Sequence, residues 1–127
     1  MTETAEEFIA EKKKTESGRE FWIKDIRRNG VSHCFKVLGV TYLQESDNPE
    51  KVFEIKKVEY QRTKGIENHT IPESHKITIR CGYWIVGKIG RANGKWWWGQ
   101  YAPMIPIKDF LLLIEKAKRE GTIIEEY

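Results

Sequence analysis

The segment "HKITIRCGYWIVGKIGRANGKWWWGQY", residues 75–101, contains the strongest strand pattern in the chain and therefore indicates a β-sheet. Successive side chains of a strand point to opposite faces of a sheet, and the apolar residues of this segment alternate accordingly. One face carries Ile77, Ile79, Cys81, Tyr83, Ile85 and Ile89. The other face carries Thr78, Arg80, Trp84, Val86 and Lys88. We expect the isoleucine face to lie in the core.

The dipeptide "NG" at residues 93–94 predicts a tight two-residue hairpin and, with it, the register of the strands on either side. In this register Trp96 and Trp98 share the isoleucine face as core residues. Trp97 lies on the opposite face, near Trp84. Because a slip of one residue would exchange the two faces, the assignment depends on the register.

Two interpretations of the Trp97 face stay open. In the first, the C-terminal helix covers this face, and Trp84, Trp97 and Tyr101 are packing residues. In the second, the face is a ligand platform, on which aromatic rings stack against a nucleobase while Arg80 and Lys88 meet its phosphates.

A helix is predicted at each end of the chain. Residues 4–14 form the first, with a capping box at Thr4 and Glu7, and its narrow apolar stripe is typical of an arm that docks on a neighbour. The second begins at Pro106 and has apolar residues on more than one side. We therefore expect a homo-oligomer in which this helix contacts a partner subunit.

Further strands are predicted at residues 31–43 and, half-exposed, at residues 51–62. Residues 18–28 fit either a helix or a strand that enters a hairpin, and we favour the strand. Residues 63–74 lack periodicity and predict a surface loop.

Together these elements predict a single α+β domain that covers residues 1–127. It consists of an N-terminal helical arm at 1–16, an antiparallel β-sheet meander at 20–105, and a C-terminal helix at 106–120, packed on the sheet or on a partner subunit.

Charge and composition favour a protein without a membrane span. The net charge is +3, and the acidic residues cluster at the two ends, so the middle of the chain is basic enough to attract phosphate. No apolar run is long enough to cross a bilayer and no signal-peptide pattern is present, which predicts a cytoplasmic location, or the host cytoplasm for a viral protein. Cys34 and Cys81 are interpreted as buried apolar residues.

Catalytic and metal-binding patterns are weak. His33, His69 and His75 are scattered, and no nucleophile, zinc or phosphate-loop motif occurs in the sequence. We therefore predict no metal, no cofactor and no enzymatic activity.

The layout resembles that of the phage anti-Thoeris sponge proteins of the first type. The resemblance rests on size, on the helix–sheet–helix order, on Arg28, and on the pair Tyr83 and Asn93, ten residues apart. It implies an oligomer that sequesters cyclic ADP-ribose signals between its subunits without cleaving them. Lys108 stands where an arginine is expected near the start of the last helix.

The leading functional hypothesis is therefore a non-catalytic, oligomeric protein that binds a small nucleotide-like signal. Its candidate ligand-binding residues are Arg27, Arg28, Tyr83, Trp84, Lys88, Arg91, Asn93, Trp97 and Lys108. The alternatives are a module that binds single-stranded nucleic acid and a protein-interaction module that inhibits a partner.

Overall fold

A computed structural model describes residues 2–65 and 75–124 of the chain. Its elements are helix α1 (Ala5–Glu16), strands β1 (Glu20–Lys24), β2 (Ser32–Glu45), β3 (Asn48–Lys64), β4 (Ile77–Val86) and β5 (Trp96–Trp98), and helix α2 (Ile107–Arg119). The strands pair antiparallel in chain order, β1-β2-β3-β4-β5. The predicted α+β meander is confirmed, and the segment around residues 20–24 is a strand. Of the predicted loop at 63–74, residues 66–74 lie outside the described residues.

Helix α1 begins with the predicted capping box. The Thr4 hydroxyl accepts a hydrogen bond from Glu7 N at 3.1 Å, and the Glu7 carboxylate accepts one from Thr4 N at 2.9 Å. Phe8 is buried, with its ring centroid 4.7 Å from that of Trp96 and 5.3 Å from that of Trp84. The expectation that this helix docks on a neighbour is wrong, because its apolar stripe finds aromatic partners on its own sheet.

Helix α2 packs on the opposite side of the sheet. Leu113 and Ala117 are buried against Phe53 of β3. The Asp109 carboxylate accepts hydrogen bonds from the backbone N and the hydroxyl of Ser46 at 3.0 and 3.2 Å, which ties the start of the helix to the β2–β3 turn. We call the side of the sheet beneath α1 the α1 face and the side beneath α2 the α2 face.

The central strand β3 is buried on both faces, so the predicted half-exposed strand is wrong. All of residues 52–56 are buried because a helix covers each side. Lys56 Nζ lies 3.4 Å from Glu16 Oε2 and 3.5 Å from Glu54 Oε1. Burial raises the pKa of Glu16, but the hydrogen bond from Arg19 and the surrounding cations outweigh it and leave the pKa below its usual range. This charged cluster lies between α1 and the sheet.

The last hairpin has a longer loop than the predicted two residues. The paired residues are Trp84 with Trp98, Ile85 with Trp97, and Val86 with Trp96. Residues 87–95 form the connection and contain a 3-10 turn, Gly90–Ala92. The predicted hairpin would have placed Val86 opposite Tyr101. The register is therefore displaced by five residues, and an odd displacement moves each side chain to the other face.

This displacement corrects the assignment of the tryptophans. Trp96 and Trp98 are partly buried as expected, but they lie with Trp84 on the α1 face. Trp97 lies beside Ile85 on the α2 face and is 46 % exposed. The Trp84 face is covered by α1, and the interpretation that the C-terminal helix covers it is wrong.

The isoleucine face of β4 is only partly in the core. Ile77, Ile79 and Ile85 are 43, 44 and 39 % exposed, because α2 lies mainly over β2 and β3. Cys34 is buried as predicted, whereas Cys81 is exposed.

Candidate functional site

The nine predicted ligand-binding residues do not form one site. The aromatic residues divide between the two faces: Trp84 lies beneath α1, with Lys12 Nζ 4.0 Å from its ring centroid, whereas Tyr83 and Trp97 lie on the α2 face. The sheet separates the two groups, so a single ligand cannot stack on Trp84 and Trp97 together.

The predicted polar residues are also dispersed. Arg27 and Arg28 lie between β1 and β2, Lys88, Arg91 and Asn93 between β4 and β5, and Lys108 in the first turn of α2. Lys88 Nζ contacts the Glu50 carboxylate, and Arg28 Nε lies 3.5 Å from the Asp25 carboxylate. Both cations therefore already have a carboxylate partner.

A different set of side chains does converge, on the half of the α1 face that α1 leaves open. Phe21 stacks on Phe35 with 5.7 Å between ring centroids, and Phe35 meets Tyr60 edge-on at 5.3 Å. The ring of His33 continues this row, 5.7 Å from that of Tyr60. Four aromatic rings on strands β1, β2 and β3 thus form a continuous series of contacts, and we call this surface the aromatic groove.

Two adjoining cavities lie along the aromatic groove. One, of about 250 Å³, is lined by His33, Phe35, Tyr60, Lys76 and Thr78. The other, of about 270 Å³, is lined by Phe21, Ile23, Phe35, Val58, Thr78 and Arg80. Phe35 and Thr78 line both, so the two cavities form one continuous depression with a floor of rings and aliphatic side chains. Such a floor suits a flat, apolar group.

Cations border the groove at both ends. The Arg80 guanidinium lies 5.5 Å from the ring centroid of Phe21 and 4.9 Å from that of Trp98. Within the described part of the chain, neither Arg80 nor Lys76 has a carboxylate within ion-pair distance. A guanidinium held by two rings presents its N–H groups in a fixed plane, which is suited to bind phosphate.

A chain of hydrogen bonds closes the end of the groove near Lys76. His33 Nε2 lies 3.0 Å from Asp25 Oδ2, and His33 Nδ1 lies 2.7 Å from the Tyr60 hydroxyl. The hydrogen bond from His33 is the main reason that the pKa of Asp25 lies below its usual value. These contacts fix the orientation of the His33 and Tyr60 rings.

No cluster suited to a metal ion occurs in residues 2–65 and 75–124, where no three His, Cys, Asp or Glu side chains come together. Burial raises the pKa of the Cys34 thiol, whose sulfur donates to Glu20 Oε1 at 3.5 Å. A thiol with a raised pKa is a poor nucleophile.

Most residues of the aromatic groove were missed from the sequence, and a backbone irregularity explains why. The register of β2 against β3 shifts between Cys34 and Phe35, where Arg62 pairs with Cys34 but Tyr60 pairs with Phe35. This bulge places Tyr60 and Thr63 on the same face, which simple alternation forbids. The alternation of Phe21 and Ile23 can be seen in the sequence. It does not indicate which strand pairs with theirs, so it could not predict which rings Phe21 contacts.

Comparisons of the chain with protein-family models, with curated proteins and with solved structures return no match. None of the helices in the described ranges is long and apolar enough to cross a membrane. The resemblance to the anti-Thoeris sponge proteins, with the ligand and the assembly that it implies, therefore stays a prediction.

Proposed function

We propose that this protein is a non-catalytic binding protein that captures a small nucleotide-like anion in the aromatic groove. The observation that carries the proposal is the row of four rings bordered by Arg80, a cation without a carboxylate partner in the described part of the chain. A nucleobase would stack on Phe21 and Phe35, and Arg80 would hold a phosphate.

The shape of the aromatic groove also favours a small ligand. The groove is a depression with an apolar floor and few polar groups, which is the usual composition of a site for a drug-sized molecule. The fixed hydroxyl of Tyr60 and the exposed Lys76 would supply polar contacts at the end opposite to Arg80. Cyclic ADP-ribose isomers and cyclic nucleotides combine a base, a ribose and phosphate, so they belong to the ligand class that this arrangement suits. Sequestration of such a signal, as a phage counter-defence, is the biological role that we propose.

Isothermal titration calorimetry with cyclic ADP-ribose isomers and cyclic mononucleotides tests this proposal. We expect at least one of these ligands to bind, and Arg80→Ala to weaken its binding by roughly ten- to a hundredfold, because a hydrogen-bonded charge pair is lost. Ligand recovered after heat denaturation of the complex should be chemically intact.

The matched control is Arg91→Ala, which removes an exposed arginine from the β4–β5 loop. It should leave the affinity unchanged. The proposal is wrong if none of these ligands binds, or if the two arginine substitutions weaken binding equally.

We also propose that the protein assembles as a homo-oligomer through α2. Ile107, Phe110, Leu111 and Leu112 are 80, 45, 62 and 46 % exposed. Large apolar side chains grouped on one helix are typical of a subunit interface. Native mass spectrometry should show more than one subunit, and Leu111→Glu should shift the assembly towards the monomer. A monomeric wild-type protein at micromolar concentration would contradict this proposal.

A further inference from the structure

Trp22 lies on the side of β1 opposite to Phe21 and the aromatic groove, and cations surround it. The Arg62 guanidinium lies 5.3 Å from its ring centroid and Lys64 Nζ 5.8 Å. Lys24 lies two residues after Trp22, on the same side of β1. It pairs with Ser32 of β2, which pairs in turn with Lys64 of β3. We call Trp22, Lys24, Arg62 and Lys64 the Trp22 surface.

The Trp22 surface is accessible. The Trp22 side chain is 46 % exposed, and Lys24 and Lys64 are exposed as well. Neither lysine has a carboxylate within ion-pair distance among the described residues, whereas Arg62 lies 3.0 Å from Glu20. Lys24, Ser32 and Lys64 also line a cavity of about 370 Å³, together with Asp25 and residues 29–31.

This end of the sheet carries a local excess of positive charge. Residues 19–36 and 60–65 include seven Lys or Arg residues and two acidic residues, although the whole chain has a net charge of only +3. The remainder of the protein is therefore slightly acidic. Such an asymmetry directs a polyanion to one end of the molecule.

We propose that the Trp22 surface binds single-stranded nucleic acid. An exposed indole offers a stacking platform for an unpaired base, and Lys24, Arg62 and Lys64 lie on two separate strands where they can contact successive phosphates. Trp22 and Arg62 lie outside the cavity that Lys24 and Lys64 line, on an open part of the sheet, and such an extended surface suits a segment of a polymer. This inference is independent of the ligand in the aromatic groove, because the two sites lie on opposite sides of β1.

Fluorescence anisotropy of a labelled twelve-nucleotide oligo-dT tests the inference. Binding should weaken with added salt, with a slope of log K against log salt near −2, because each neutralised phosphate of a single strand contributes about −0.7 and three cations are available. Lys24→Gln and Lys64→Gln should each reduce the magnitude of the slope by about 0.7.

Trp97 offers a matched control for Trp22, because each is 46 % exposed and lies on a strand at an edge of the sheet. Trp22→Ala should weaken oligo-dT binding by roughly tenfold, whereas Trp97→Ala should not change it. Circular dichroism of each variant reports whether it folds, and the lysine variants test the surface without altering an aromatic residue.

The inference is overturned if oligo-dT does not bind at low salt, if its affinity is insensitive to salt, or if both tryptophan substitutions weaken binding equally. Arg80→Ala distinguishes the two sites, since it should weaken the binding of a small nucleotide and leave oligo-dT binding unchanged.

Discussion

Replacing Lys56 by methionine is expected to lower the free energy of unfolding by about 3–5 kcal/mol, because it leaves the buried Glu54 carboxylate without the cation that pairs with it, whereas Glu16 keeps Arg19 and Lys12. Lys56 is 3 % exposed and lies between the carboxylates of Glu16 and Glu54, which are 2 and 0 % exposed. Methionine keeps most of the volume of the lysine stem, so the loss of stability measures the effect of removing the charge. Urea denaturation followed by circular dichroism measures it.

Lys88→Met is the matched control, since Lys88 pairs with Glu50 on the surface. Its loss should not exceed about 1 kcal/mol, because exposed ion pairs contribute little. In the double variant Lys56→Met, Glu54→Gln, part of the stability should return, because the unpaired charge of Glu54 is removed. Equal losses for the two lysine substitutions would show that Lys56 does not balance buried charge.

Gly82→Ala is expected to destabilise the protein by roughly 2–3 kcal/mol through overpacking. A Cβ atom at Gly82 would lie 2.2 Å from the nearest ring atom of Trp98, which is packed directly over this glycine. The Trp98 ring would have to shift, which would disturb its edge-to-face contact with Trp84 at 5.2 Å. Thermal and urea unfolding measure the effect.

The control for Gly82 is Gly39→Ala, because Gly39 also lies in a strand. A Cβ atom there would be 3.5 Å from the nearest atom, the Thr122 hydroxyl, which is an ordinary contact distance. We expect a change within about 0.5 kcal/mol in either direction. If Gly82→Ala is equally mild, the Trp98 ring has room to shift and does not hold the hairpin in place.

The elements of the fold were predictable because each has a local cause. Thr4 and Glu7 begin α1 through side-chain hydrogen bonds within one turn. Alternation of apolar residues predicted the strands, and β2 and β3 cover the segments 31–43 and 51–62 almost completely. Capping and alternation patterns extend over only a few neighbouring residues, so they can be recognised without knowledge of the tertiary structure.

The site was less predictable, because it depends on register. The hairpin rule placed the turn at residues 93–94, but the 3-10 turn Gly90–Ala92 lengthens the loop and exchanges the faces of the three tryptophans. The pairing of β2 with β3 shifts at three places, and each shift changes which residues of the two strands share a face. Residues predicted to share a surface, such as Trp84 and Trp97, therefore lie on opposite sides of the sheet.

The α+β class, the meander order and the two flanking helices could be predicted from the sequence, since these follow from capping residues and periodicity along the chain. The structure was needed to show which helix covers which face, that Glu54 and Lys56 are buried, and that Phe21, Phe35 and Tyr60 meet in one groove. The physical reason is that a strand's period of two specifies a face only relative to its partner. One bulge or one added loop residue moves the side chains that follow it to the other face, and the sequence pattern does not clearly indicate where this happens.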